Sequence, residues 1–198
     1  MPNVRQTSED IDRAIIDIAA GLFARHGYAG TSLAHIASEV GYSKAGLIHR
    51  FGNKEGLYRA ILDAATTTGD ELIAYAERFP FGPERERAAA EQAVEHALDH
   101  VGVMLMIMNA FQPDSDLPNI EEMQVQCLRI LATLDVALET PADAIRLVLS
   151  MQLLVNAITV QTLKAPFDLT MPREQFVPYV VDLALHTLHA PVAPPALS

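Results

Sequence analysis

The chain has 198 residues, half of them hydrophobic, a formal net charge of −11 and a single cysteine. Such a length and apolar content can bury a core, which excludes disorder as the default, and one cysteine excludes both an intrachain disulfide framework and a four-cysteine zinc site. The acidity lies behind residue 54, because residues 1–54 hold six Lys/Arg against five Asp/Glu and the remainder eight against twenty, so a polyanion can be met only by a local patch in the first quarter of the chain.

No apolar leader opens the sequence, and no charge-free apolar run of about 18 residues follows. The expectation is a soluble cytoplasmic protein in a reducing compartment, without a membrane partner.

In chain order, Ile11, Ala14, Ile15, Ile18, Ala19, Leu22 and Phe23 recur at helical spacing and predict a first amphipathic helix, with Thr7 or Ser8 as cap and Glu9, Asp10 and Asp12 near its positive end. "RHGYAG" stops it at Gly27 and Gly30. Thr31 or Ser32 then caps a short helix through Val40, buried by Leu33, Ile36, Ala37 and Val40; Gly41 ends it, and Ser43 caps a third helix, "KAGLIHRF". Two short helices joined by so tight a turn form a helix-turn-helix, with Gly41 supplying the positive φ and Ile36, Val40 and Leu47 pinning the pair to the first helix. Ser43, Lys44, His49 and Arg50 are then free to reach phosphates or base edges. Ala45 and Gly46 are small enough for close approach to a groove, and Lys54 opens the next helix as a second phosphate clamp.

Residues 15–62, "IIDIAAGLFARHGYAGTSLAHIASEVGYSKAGLIHRFGNKEGLYRAIL", resemble without a gap the DNA-binding domain of TetR-type bacterial transcriptional regulators. Two positions depart from that pattern: Ile48 stands where the family usually has a phosphate-directed tyrosine, which Tyr42 is placed to replace, and Gly52 where it often has proline. The resemblance implies a double-stranded DNA operator as partner. It also implies that Thr31, Ser32, Tyr42, Ser43, Lys44, Ala45, Gly46, His49, Arg50 and Lys54 form the DNA-binding face, with Arg50 alternatively pairing back onto the first helix.

Beyond residue 65 the sequence predicts further helices only. One runs from Lys54 toward Phe79, interrupted near "TTTGD" and broken at "PFGP". Others start near Glu84, span about Ile120–Glu139, run from a Thr140 cap with Pro141 to about Lys164, and span about Glu174–His189 with Pro178 in the first turn or at a kink. The fold class is all-α: a helix-turn-helix domain over 1–53, a ligand-binding and dimerisation domain over 54–190, and a tail over 191–198.

Residues 144–163 and 176–188 are apolar nearly all round, so a partner should cover the side that the chain's own core does not. That predicts a homodimer through Leu147, Leu154, Ile158, Val180, Ala184 and Leu188. Methionines cluster in "VGVMLMIMNAF". Core filling accounts for such residues, while an apolar effector pocket would draw on His100, Met104, Met108, Phe111, Met123, Cys127, Met151 and Asn156. Gln152, Asn156 and Thr159 form a polar stripe suited either to a pocket or to the dimer interface. His96 and His100 read as solvated helix-face residues rather than metal ligands, and Asp182 with His186 as a salt bridge. No nucleophile–base–acid set or phosphate loop stands out, so neither catalysis nor a cofactor is expected. The function expected is a ligand-responsive regulator, most often a repressor in the family; the alternative is a helical small-molecule carrier or enzyme.

Overall fold

The computed structural model describes residues 7–134, 136, 138–162 and 171–190, and among them it contains nine helices and no strand. These are α1 (Ser8–His26), α2 (Leu33–Glu39), α3 (Lys44–Phe51), α4 (Lys54–Ala76), α5 (Pro83–Asp99), α6 (Val101–Asn109), α7 (Ile120–Thr133), α8 (Pro141–Thr162) and α9 (Arg173–His189). The all-α expectation holds. The tail over 191–198 lies outside the described residues.

Helix starts follow local chemistry. Thr7 and Asp10 form a reciprocal capping box at α1, Ser32 accepts from the His35 N–H, Ser43 accepts from the Gly46 N–H, and Thr140 with Asp143 repeats the box at α8. Three expectations are corrected. α4 is unbroken through "TTTGD", where Gly69 makes room for the Gln126 side chain: a Cβ there would stand 2.9 Å from its Cγ. The helix begun at Pro83 breaks at His100 (φ −135°, ψ 58°), where the Asp17 carboxylate of α1 accepts from the Val103 N–H at 3.0 Å and caps α6 from another helix. Finally, α7 stops at Thr133 instead of near Glu139.

The chain forms two compact units, residues 1–71 with 100–129 and residues 72–99 with 130–198. In the first, α1 buries Ile15, Ala19, Ala20, Leu22 and Phe23 against Ile36, Leu47, Leu57, Ile61 and Met106. The buried stripe is rotated from the expected one, with Ala14 and Ile18 exposed, because α1 serves both α2 and α6. Its approach to α6 is close enough that a Cβ on Gly102 would overlap the Asp17 carbonyl and lie 2.9 Å from the Gly21 nitrogen.

In the second unit α8 and α9 pack along each other with α5 against both. Val94, Ile158, Phe176, Val177, Val180, Val181 and Ala184 are buried there. Arg85 is buried with its guanidinium on the carbonyls of Phe79 (2.8 and 2.6 Å) and Thr133 (3.2 Å), which gives each of its three nitrogens an acceptor. Asp182, expected to pair with His186, is taken by Arg87 at 2.5 Å. Pro178 lies inside α9. Among the described residues α8 is long and apolar enough to cross a membrane by length and composition, with a mean hydropathy of 1.4 in its most apolar window.

Candidate nucleic-acid interface

The short α3 buries one side chain, Leu47, and α2 buries Ile36 and Ala37. Between the two helices Gly41 takes φ +68°, a conformation in which a side chain would be strained, and the Tyr42 N–H closes the turn on the Ala37 carbonyl at 2.8 Å. With Leu47 inward, Ser43, Lys44, Ala45, Ile48 and His49 are exposed on α3 and its cap, beside Tyr42. Ser32, at the start of α2, is exposed as well. The start of α3 thus carries an exposed lysine at its first position, with an exposed imidazole in its last turn, residue types that can reach phosphate.

Four expected contacts are engaged within the chain. Thr31 is only 1 % exposed and its hydroxyl donates to the carbonyls of Gly27 (2.8 Å) and Leu22 (3.3 Å), so it fastens the α1–α2 connection from inside. The Lys54 ammonium donates to the Tyr28 carbonyl and sits 4.1 Å from the centre of the Tyr28 ring. Arg50 turns back to α1, where its guanidinium bonds the Asp12 carboxylate and Ser8. Gly46 is half-buried beneath Tyr42, since a Cβ on it would meet the ring Cδ1 at 3.2 Å and the Ser43 Oγ at 3.1 Å. Its smallness accommodates a neighbouring side chain. Asp12 was legible only as a charge near a helix start, because its partner lies 38 residues away.

The residues expected around an effector fall in both units. His100, Met104, Met108, Phe111, Met123 and Cys127 belong to the first, and Met151 and Asn156 to the second. Met123 is buried in the first core, while Phe111 is 46 % exposed. Burial pushes the Cys127 thiol up to about 11. A cleft of about 440 Å³ in the first unit is lined by Tyr28, Asn53, Glu55, Tyr58, Arg59 and Asn119, among others, and by none of those eight.

Of the residues expected at a dimer interface, Ile158, Val180 and Ala184 are buried within the second unit, and Leu147, Leu154 and Leu188 are partly buried. The exposed apolar positions are others: Ile145, Val148, Leu149 and Val160 on α8, and Tyr179 and Leu183 on α9. Gln152 and Asn156 share that exposed side of α8 and bond each other at 3.0 Å, whereas Thr159 bonds back to the Val155 carbonyl.

Residues 15–61 match the family described as bacterial regulatory proteins, tetR family. Over 85 residues the chain is 39% identical to the HTH-type transcriptional repressor ComR of Escherichia coli strain K12, a stretch covering 43% of this chain and 36% of that protein, so the chain spans about a third of that curated relative. Two solved structures share the whole fold: a TetR-family transcriptional regulator from Bordetella parapertussis 12822, 21% identical with a TM-score of 0.63, and a TetR-like regulator from Rhodococcus sp. RHA1, 18% identical with a TM-score of 0.60. In each case 94% of this chain and 100% of the other are covered. Residues 15–61 therefore match the tetR family of bacterial regulatory proteins, and the all-helical fold around them is that of TetR-like regulators of known structure.

Proposed function

We propose that the chain is a cytoplasmic homodimeric repressor that reads a palindromic DNA operator through α3 and is released from it by a small apolar effector. The observation that carries this reading is the exposed face of Ser43, Lys44, Ala45 and His49 on a helix held by Leu47 in a helix-turn-helix. Two-fold symmetry would set two such helices about 34 Å apart, one turn of DNA.

The exposed row of Ile145, Val148, Leu149 and Val160 beside Tyr179 and Leu183 supports dimerisation. A second copy would cover it, making a four-helix interface from α8 and α9. Gln152 and Asn156 in the same row favour a protein partner over lipid, because side-chain amides can bond across a protein interface and are costly against hydrocarbon. An effector would act through differential affinity for the two conformations of such a dimer.

The test is selection of random duplexes by the purified protein at about physiological salt, where non-specific binding is weak. A palindrome should be enriched. A folded dimer that enriches no sequence would overturn the reading.

A further inference from the structure

Arg50 lies in the last turn of α3, yet its Nη1 bonds the Asp12 carboxylate and the Ser8 hydroxyl (3.2 Å), both on α1, and its Cζ stands 5.8 Å from the centre of the Tyr42 ring. We propose that Arg50 is a positioning residue of the DNA-reading face: through Asp12 it fixes the rotation of α3 on α1, and with Gly46 it holds Tyr42 against α3, without touching DNA itself. The inference rests on the DNA-binding reading above.

Few contacts hold α3. The helix has eight residues, one fully buried side chain, Leu47, and one partly buried against the same core, Phe51 in its last position, so few apolar contacts specify its rotation about the axis. Arg50, three residues after Leu47, adds a polar fixed point on α1. The side chains of Arg50 and Asp12 are 22% and 39% exposed, and a pair so exposed adds little to global stability, so its value is geometric. Gly46 and Arg50 fall four residues apart along one side of α3, and the ring of Tyr42, which precedes the cap, lies against both. Moving Arg50 to a phosphate would release the Tyr42 ring and leave the Asp12 carboxylate unneutralised at the DNA-binding end of the domain.

A positioning Arg50 and a phosphate-gripping Arg50 predict opposite signs for one variant. If Arg50 positions α3, Asp12→Asn loosens the helix and weakens operator binding. If Arg50 grips phosphate, Asp12→Asn frees it, removes a repulsive charge and strengthens binding. Operator and random duplexes are titrated by fluorescence anisotropy at several salt concentrations with wild type, Asp12→Asn, Arg50→Ala and the double variant.

The expected result is about a tenfold loss on the operator for each single variant, no further loss in the double, and for Asp12→Asn no loss on random DNA and an unchanged salt dependence. A general failure to fold would lower both kinds of binding. Tighter operator binding by Asp12→Asn, with a salt slope lowered by about one contact in Arg50→Ala, would overturn the proposal. Hydrogen exchange without DNA supplies an independent arm: Asp12→Asn should speed exchange across residues 44–52 and leave 33–39 unchanged, and equal exchange in both segments overturns the positioning role. A wild type that enriches no palindrome defeats the DNA-binding reading, and the exchange arm then decides the positioning role.

Discussion

The carboxylate of Asp116, in the loop between α6 and α7, accepts hydrogen bonds from the backbone N–H groups of Tyr28 (2.7 Å) and Ala29 (2.8 Å) in the connection between α1 and α2. The Tyr58 hydroxyl donates to the Pro118 carbonyl of the same loop at 2.6 Å, and its ring stacks edge-on against Tyr28 and Phe23. The loop is thus tied to the α1–α2 connection and to α4. The hydrogen bond from Ala29, joined by that from Tyr28, holds the Asp116 carboxyl below the usual range.

A depressed folded-state pKa contributes stability that is fully present above the unfolded value and lost as pH falls through the folded one. Asp116→Ala should therefore destabilise the first unit by about 1 kcal/mol at pH 7, a modest figure because the carboxylate is largely exposed, and the deficit should shrink as acid protonates the wild-type residue. Urea unfolding at pH 3 and pH 7 measures both. A deficit of equal size at the two pH values would mean that the charge-assisted bonds are not its source.

Asp17 carries the opposite sign. Burial raises its carboxyl above the usual range, while the Val103 N–H pulls it partly back. Its ionisation therefore opposes folding: this share of stability is complete below the unfolded pKa of about 4 and is lost as pH rises through the folded value. Asp17→Asn keeps an oxygen for the Val103 N–H without the charge, and should be more stable than wild type at pH 7 with a flatter pH profile. Asp17→Ala orphans that N–H and should cost about 1–3 kcal/mol. Parallel stability–pH curves for wild type and Asp17→Asn would refute the assignment.

On the proposed DNA-reading face, Lys44 opens α3 and is exposed. Lys44→Ala should lower operator affinity by about 1–3 kcal/mol, with a smaller loss on random DNA, as expected for a base-edge contact. An equal loss on both, with a reduced salt slope, would make Lys44 a phosphate contact instead. Gly46→Ala should also weaken operator binding, but by displacing the Tyr42 ring, so combining it with Tyr42→Ala should produce no additional loss.

Features set by neighbouring residues are legible in this sequence, and features set by distant ones are not. The cap at Ser43 and the turn at Gly41 were legible, and the caps of α1 and α2 to within one residue (Thr7 or Ser8, Thr31 or Ser32), because each depends on residues within three or four positions. The break at His100 was not. Nothing in "EHALDHVGVML" signals it, since the carboxylate that caps α6 comes from Asp17, 86 residues earlier. Arg50 was readable as a positive charge on α3, and its return to α1 was visible only as an alternative, because a charge pattern does not say which of several carboxylates closes the pair. The same limit applies to α8 and α9. Apolar residues on every side reveal that both sides need cover but not which side faces the chain's own core, and so Ile158, Val180 and Ala184 turned out to be interior.

The exposed side of α8 and α9 follows from that resolution and yields a decisive variant. Leu149 is 54% exposed in the middle of the row from Ile145 to Val160, a position where a partner's α8 or α9 would desolvate it. A carboxylate there would meet its own symmetry mate or the partner's apolar row, and an unpaired charge in such a place is strongly unfavourable. Leu149→Asp should convert the protein to monomer at micromolar concentration, read by sedimentation velocity, while circular dichroism retains its helical content because the side chain does not enter the protomer's core. Operator affinity should fall steeply in the same variant, since one helix-turn-helix covers only half a palindrome. A dimer that survives Leu149→Asp would place the interface elsewhere and leave this apolar row to another partner.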